Sequence, residues 1–136
     1  MSCTNAKTVL TVDDDPAIRQ LIRVALEKEE NIQVIEASDG ISGLEAIRQY
    51  RPDLVLLDVV MPRQDGLHML QTLRSDPDLS FIPVILLTGF KDREKLQPLL
   101  KQENTDFMAK PFILELLRQK VKDKLFPNSH VEAVAE

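Results

Sequence analysis

Between residues 8 and 125 the chain alternates short apolar runs with stretches in which apolar positions return every three or four residues. TVLTV (8–12), IQVIEA (32–37), LVLLD (54–58), VILLT (84–88) and DFMA (106–109) are predicted strands. The third and fourth are nearly unbroken Val, Ile and Leu, which suits strands covered on both faces, as in a parallel sheet. Between the runs the period lengthens. Ile18, Leu21, Ile22 and Ala25 recur at i, i+3, i+4 and i+7, and Leu114, Leu117, Val121 and Leu125 do so with a small drift in phase. Gly and Pro mark the joints, at Asp39-Gly40, Arg51-Pro52, Asp65-Gly66 and Ile82-Pro83. Strand–helix alternation of this kind predicts an α/β fold: a doubly wound, five-stranded parallel sheet with right-handed crossovers.

Length and charge narrow the classes. The 136 residues make one ordinary domain, with no internal repeat, low-complexity tract or linker. Residues 127–136, PNSHVEAVAE, read as a short C-terminal tail. Seventeen Lys and Arg against 22 Asp and Glu give a net charge of −5, which argues against non-specific binding to nucleic acid or anionic membrane. Cys3 is the single cysteine, so no internal disulfide forms, which fits a reducing compartment. MSCTNAK at the N-terminus lacks the apolar core of a signal peptide, and no apolar run is long enough to span a bilayer. The expected location is the cytoplasm.

Candidate chemistry lies at the strand ends, because an open parallel sheet binds ligands beyond its carboxyl edge, at the topological switch point. The first strand runs into Asp13, Asp14 and Asp15; the third ends at Asp58, the fourth at Thr88 and the fifth at Lys110. The second ends in Ser38 and Asp39, away from the others if the strand order is 2-1-3-4-5. Asp15 precedes Pro16. Asp is a favoured helix cap and Pro a favoured first helical residue, so Asp15 is assigned to capping. Asp13 and Asp14 are left as metal-site candidates, alongside their reading as a solvated loop pair. Asp58 closes a buried run, and a buried charge needs a partner or a metal. Mg²⁺ takes one or two carboxylates and shares phosphate oxygens. A carboxylate can serve as nucleophile, and a hydroxyl and a lysine can hold the oxygens of a transferring phosphoryl group. These residues support phosphoryl chemistry on an aspartate.

At VDDD (12–15), LLDVVMPRQDG (56–66), LLTG (86–89) and KPF (110–112) the sequence resembles the receiver domain of two-component response regulators, over residues 7–126. The resemblance implies the flavodoxin-like, three-layer receiver fold with strand order 2-1-3-4-5. It implies that Asp58 is the phosphoacceptor. It also implies that Asp13, Asp14, Asp58 and the carbonyl of Val60 hold Mg²⁺, and that Thr88 and Lys110 bind phosphoryl oxygens. Lys110-Pro111 is then expected to be cis, and Phe107 to be the switch aromatic, preferring a buried position for want of a hydroxyl. Four positions depart from the family pattern. Val60 and Phe90 are often polar in relatives, Pro98 falls inside the expected fourth helix, and Ile113 stands where a polar cap commonly starts the fifth.

The resemblance implies a stand-alone, chemotaxis-regulator-like switch rather than an enzyme. Its expected donor is a sensor histidine kinase or phosphotransfer protein, and its output partner is an unknown protein. No direct contact with nucleic acid or membrane is expected. Homodimerisation through the face of the fourth helix, fifth strand and fifth helix is also open, with Ile113 and Leu116 as its exposed apolar stripe. Two alternatives remain: a relay intermediate, and an Mg-dependent phosphohydrolase with an aspartate nucleophile. For the latter, Asp13 and Asp15 fit the pattern but Ala17 replaces the Thr or Val such enzymes carry.

Overall fold

The pattern of apolar runs becomes a sheet with two covered faces. The protein is described here by a computed structural model over residues 6–58, 65–89 and 104–126. In chain order the elements are β1 (Lys7–Val12), α1 (Pro16–Leu26), β2 (Ile32–Ala37), α2 (Gly40–Tyr50), β3 (Leu54–Asp58), α3 (Asp65–Ser75), β4 (Val84–Gly89), β5 (Thr105–Lys110) and α4 (Leu114–Leu125). Here α4 is the helix that the sequence reading counts as its fifth. The helix expected around Pro98 lies outside the described residues, as do Cys3, Val60, the Met61-Pro62 turn, Phe90 and the tail 127–136.

All strand pairs are parallel, in the order β2-β1-β3-β4-β5. This is the flavodoxin-like arrangement expected from the sequence. Successive side chains on a strand point to opposite faces, and both faces are buried. On one side Leu10, Val12, Val55, Leu57 and Leu86 join Ile47 of α2 and Met69, Leu70 and Leu73 of α3. On the other, Val9, Leu54, Leu56, Ile85 and Leu87 join Ile22 and Leu26 of α1 and Leu117, Val121 and Leu125 of α4. All five residues of β3 are buried, which explains their unbroken hydrophobicity. Each such Leu or Val contributes about 1.5–3 kcal/mol relative to exposure.

The helices meet the sheet differently in detail from the expected spacing. The buried row of α1 is Ile22 and Leu26, with Ile18 packed beside them, while Leu21 is 51% exposed. The i, i+4 row faces the strands and the i+3 position falls on its rim. Gly43 brings α2 close to the sheet: a Cβ there would lie 3.0 Å from Met69 Sδ and 3.2 Å from Val12 Cγ2. At the amino edge of the sheet, Arg74 at the end of α3 donates to the carbonyls of Ser80, Ile82 and Asn104 and to the Thr105 hydroxyl, at 2.8–3.2 Å. One guanidinium thereby ties α3 to the entries of β4 and β5.

Candidate functional site at the carboxyl edge of the sheet

The three consecutive aspartates divide their roles through local hydrogen bonding. Asp15 caps α1, its Oδ1 accepting the Ala17 N–H at 2.9 Å, with Pro16 as the first helical residue. Asp13 turns inward and is 1% exposed. Its N–H donates to the carbonyl of Ala37 on β2 at 3.1 Å. Its Oδ1 accepts the Asp15 N–H at 2.9 Å, and its own carbonyl accepts from Arg19 Nη1 at 2.6 Å. Asp14 is exposed above it.

Register brings the remaining candidates to the same edge. Asp58, 2% exposed, pairs with Leu87, one residue before Thr88, and Thr88 pairs with Ala109, one residue before Lys110. Carboxylate oxygens of Asp13, Asp14 and Asp58 lie within 4.8 Å of one another. Lys110 Nζ sits 3.1 Å from Asp58 Oδ2 and 3.7 Å from Asp13 Oδ2. Thr88 is buried, its hydroxyl donating to the Gly89 carbonyl at 3.2 Å. Lys110-Pro111 is cis, as expected. Phe107 is partly buried, packed against the core on the α2–α3 side. Ile113 precedes α4 with no side-chain cap, as its apolar side chain dictates, and Ile113 and Leu116 are exposed.

Three carboxylates against one ammonium leave the cluster short of positive charge. Burial, and then the negative charge of Asp58, push the Asp13 carboxyl up from 3.8 to about 6, against the Asp15 N–H and Lys110, which both lower it. Asp13 Oδ2 is buried with no hydrogen-bond partner among the described residues. An orphaned buried carboxylate oxygen, two further carboxylates within reach and only oxygen donors form a set that fits a hard divalent cation such as Mg²⁺.

Residues 9–122 match the family model described as the response regulator receiver domain. The chain belongs to that family. Receiver domains are modules of two-component signalling, and phosphorylation and Mg²⁺ binding are general among them. The receiver domain of Francisella response regulator 1452 superposes with a TM-score of 0.78 at 30% identity, over 90% of this chain and 98% of that one. The chemotaxis response regulator CheY4 of Vibrio cholerae gives 0.77 at 29% identity, over 88% and 98%. The probable C4-dicarboxylate response regulator DctR of Priestia megaterium is 37% identical over 115 residues, which are 84% of this chain and 50% of the relative. The chain likewise spans about half the length of several other curated relatives. Among the described residues no helix is long and apolar enough to cross a membrane.

Arg19 is the residue at this receiver site that sequence reasoning passed over. It donates to the Asp13 carbonyl, and its Nε pairs with Glu36 Oε1 on β2 at 3.0 Å. The available signal was slight: an arginine in the first turn after an acidic loop, and a glutamate interrupting the apolar run of the second strand.

Proposed function

We propose that this receiver is a phosphorylation-controlled switch in which Asp58 takes a phosphoryl group from a phosphohistidine on a sensor histidine kinase or phosphotransfer protein. The observation that carries this reading is the buried Asp58 carboxylate at the end of β3, with Lys110 Nζ 3.1 Å from its Oδ2 and, beside it, the buried Asp13 carboxylate, whose Oδ2 has no hydrogen-bond partner among the described residues. An Asp58 oxygen attacks phosphorus, the P–N bond breaks, and the donor imidazole leaves with the electron pair and takes up a proton. Asp13, Asp14 and Asp58 would hold Mg²⁺, together with the carbonyl of Val60, which lies outside the described residues. Bound there, the cation supplies positive charge to the phosphoryl oxygens. Lys110 moves its ion pair from the carboxylate to a phosphoryl oxygen. The Thr88 hydroxyl turns from the Gly89 carbonyl to donate to another, and its departure changes the room available to Phe107 on the neighbouring strand.

Residues 7–126 form the switch and 127–136 its tail. It works in the cytoplasm, and its output is a protein contact. The exposed Ile113 and Leu116 support a contact on the β5–α4 side, with an output protein or a second copy. Incubation with acetyl phosphate and Mg²⁺ should add one phosphoryl group by intact mass. Labelling of Asp58→Asn as complete as that of the unaltered protein overturns the assignment.

A further inference from the structure

We propose that Arg19 is a positioning residue: bridging Glu36 of β2 and the backbone of Asp13, it holds the β1–α1 turn in the conformation that points Asp13 at Asp58. The proposal rests on the functional reading above. Asp13 is tied at three points. Its N–H is bound by the Ala37 carbonyl, its Oδ1 by the Asp15 N–H, and its carbonyl by Arg19 Nη1 at 2.6 Å. The first two are a strand bond and a turn bond that many acidic loops could make. The third comes from a side chain and sets the plane of the peptide leading to Asp14. The guanidinium is itself anchored. Its Nε lies 3.0 Å from Glu36 Oε1, with side-chain exposures of only 16% and 25%. Glu36 is held from its other oxygen by Arg23 Nη1 at 2.7 Å, and Arg23 Nη2 also donates to the Val34 carbonyl at 3.0 Å. The edge strand β2 therefore acts as the fixed post from which the turn is braced.

The guanidinium fork is what the geometry requires. Nε and Nη1 leave one planar group toward two acceptors on different segments, and a lysine ammonium at the end of a flexible stem has no such fixed pair of donors. A ligand carboxylate whose backbone is free to rotate loses the preorganisation that gives a cation site its affinity. Removal of groups that orient metal ligands commonly weakens binding about 10- to 100-fold. Arg19 acts through the main chain, so the low end of that range is expected.

The test uses the full chain and two readouts. Mg²⁺ affinity is measured by calorimetry for the unaltered protein, Arg19→Met, Arg19→Lys and Glu36→Gln. Amide exchange of Asp15 is followed in the metal-free proteins, with the Ser42 amide, which donates to Asp39 Oδ1 at the start of α2, as an internal control. Arg19→Met should bind Mg²⁺ about tenfold more weakly and exchange the Asp15 amide faster while Ser42 keeps its rate. Arg19→Lys should recover part of both, and Glu36→Gln, which loosens the partly exposed ion pairs to Arg19 and Arg23, should lose about two- to threefold in affinity. Unchanged Mg²⁺ affinity in folded Arg19→Met overturns the proposal, whatever the amide does. If Arg19→Met does not fold, Glu36→Gln decides in the same way. If the unaltered protein binds no Mg²⁺, the functional reading falls, and Asp15 exchange alone then decides the positioning role.

Discussion

Replacing Asp13 with Asn should stabilise the metal-free protein, although the residue is buried and hydrogen-bonded. Asn keeps the Oδ1 acceptor that the Asp15 N–H uses. It also exchanges the orphaned Oδ2 for an N–H₂ that can donate toward Asp58. The magnitude follows from the raised carboxyl. A folded-state value near 6 against 3.8 means that the folded chain holds this proton more tightly than the unfolded chain. Stability from this group is therefore full below about pH 4 and lost as pH rises through 6. Two units correspond to about 3 kcal/mol. Solvent over the exposed Asp14 screens part of the repulsion, so the expected gain for Asp13→Asn at pH 7.5 is about 1–3 kcal/mol. Urea unfolding with EDTA at pH 7.5 and again at pH 4 measures it. The variant should be the more stable at pH 7.5, the two proteins should converge at pH 4, and added Mg²⁺ should raise the midpoint of the unaltered protein only. A variant less stable than its parent at pH 7.5 refutes the reasoning, because burial and crowding would then not be what raises the Asp13 carboxyl.

Three further outcomes are expected. Arg74→Met removes hydrogen bonds from a charged donor to the Ser80, Ile82 and Asn104 carbonyls and should cost about 2–3 kcal/mol in urea; a loss below about 0.5 kcal/mol would place those carbonyls in contact with water already. Gly43→Val puts branched carbons where a Cβ alone already meets Met69 Sδ at 3.0 Å, so its melting temperature should drop, corresponding to about 1–3 kcal/mol, and an unchanged value would mean that Met69 moves aside freely. Burial raises the Asp106 carboxyl, but the hydrogen bond and charge of Lys120, the Phe107 N–H and Lys124 outweigh it and hold the group below 3.8; its contribution is complete above about pH 4 and lost as pH falls further. Acid unfolding of Asp106→Asn should therefore be shallower below pH 4 than that of its parent, and identical acid limbs would contradict the ion-pair account.

Legibility in the sequence followed how local each interaction is. The strands Ile32–Ala37 and Leu54–Asp58 match their predicted limits: Leu54–Asp58 is buried on both faces and writes its extent as continuous hydrophobicity, while the edge strand Ile32–Ala37 shows its extent by the near-alternation of buried Ile32, Val34 and Ala37 with exposed Gln33. The site residues Asp13, Asp58, Thr88 and Lys110 could be gathered on one edge because strand ends in a parallel sheet converge whatever their side chains do. Capping by Asp15 was readable from its neighbour Pro16 alone. Leu21 was misjudged, since the i+3 position of a helix lies on the boundary of the buried stripe and only the tilt of α1 decides its side. Half-burial of Phe107 depends on how β5, an edge strand, is covered, which no local pattern encodes. Arg19 was missed for a sharper reason. Its partners are a backbone carbonyl six residues back and a glutamate seventeen residues on, and a main-chain acceptor has no residue type to announce it.

The sheet also works as a partition. Val9 and Leu10 are consecutive in the chain, yet one belongs to the core beneath α1 and α4 and the other to the core beneath α2 and α3. Side chains from the two cores do not meet, so volume changes made on opposite sides should combine nearly additively, as independent sites do. Each half of the molecule can then accumulate substitutions under its own steric rules. The α1–α4 side could be reshaped for a new partner while the α2–α3 side stays untouched. What both halves share is the carboxyl edge, where the acids and the lysine stand on the partition itself and neither side can alter them alone.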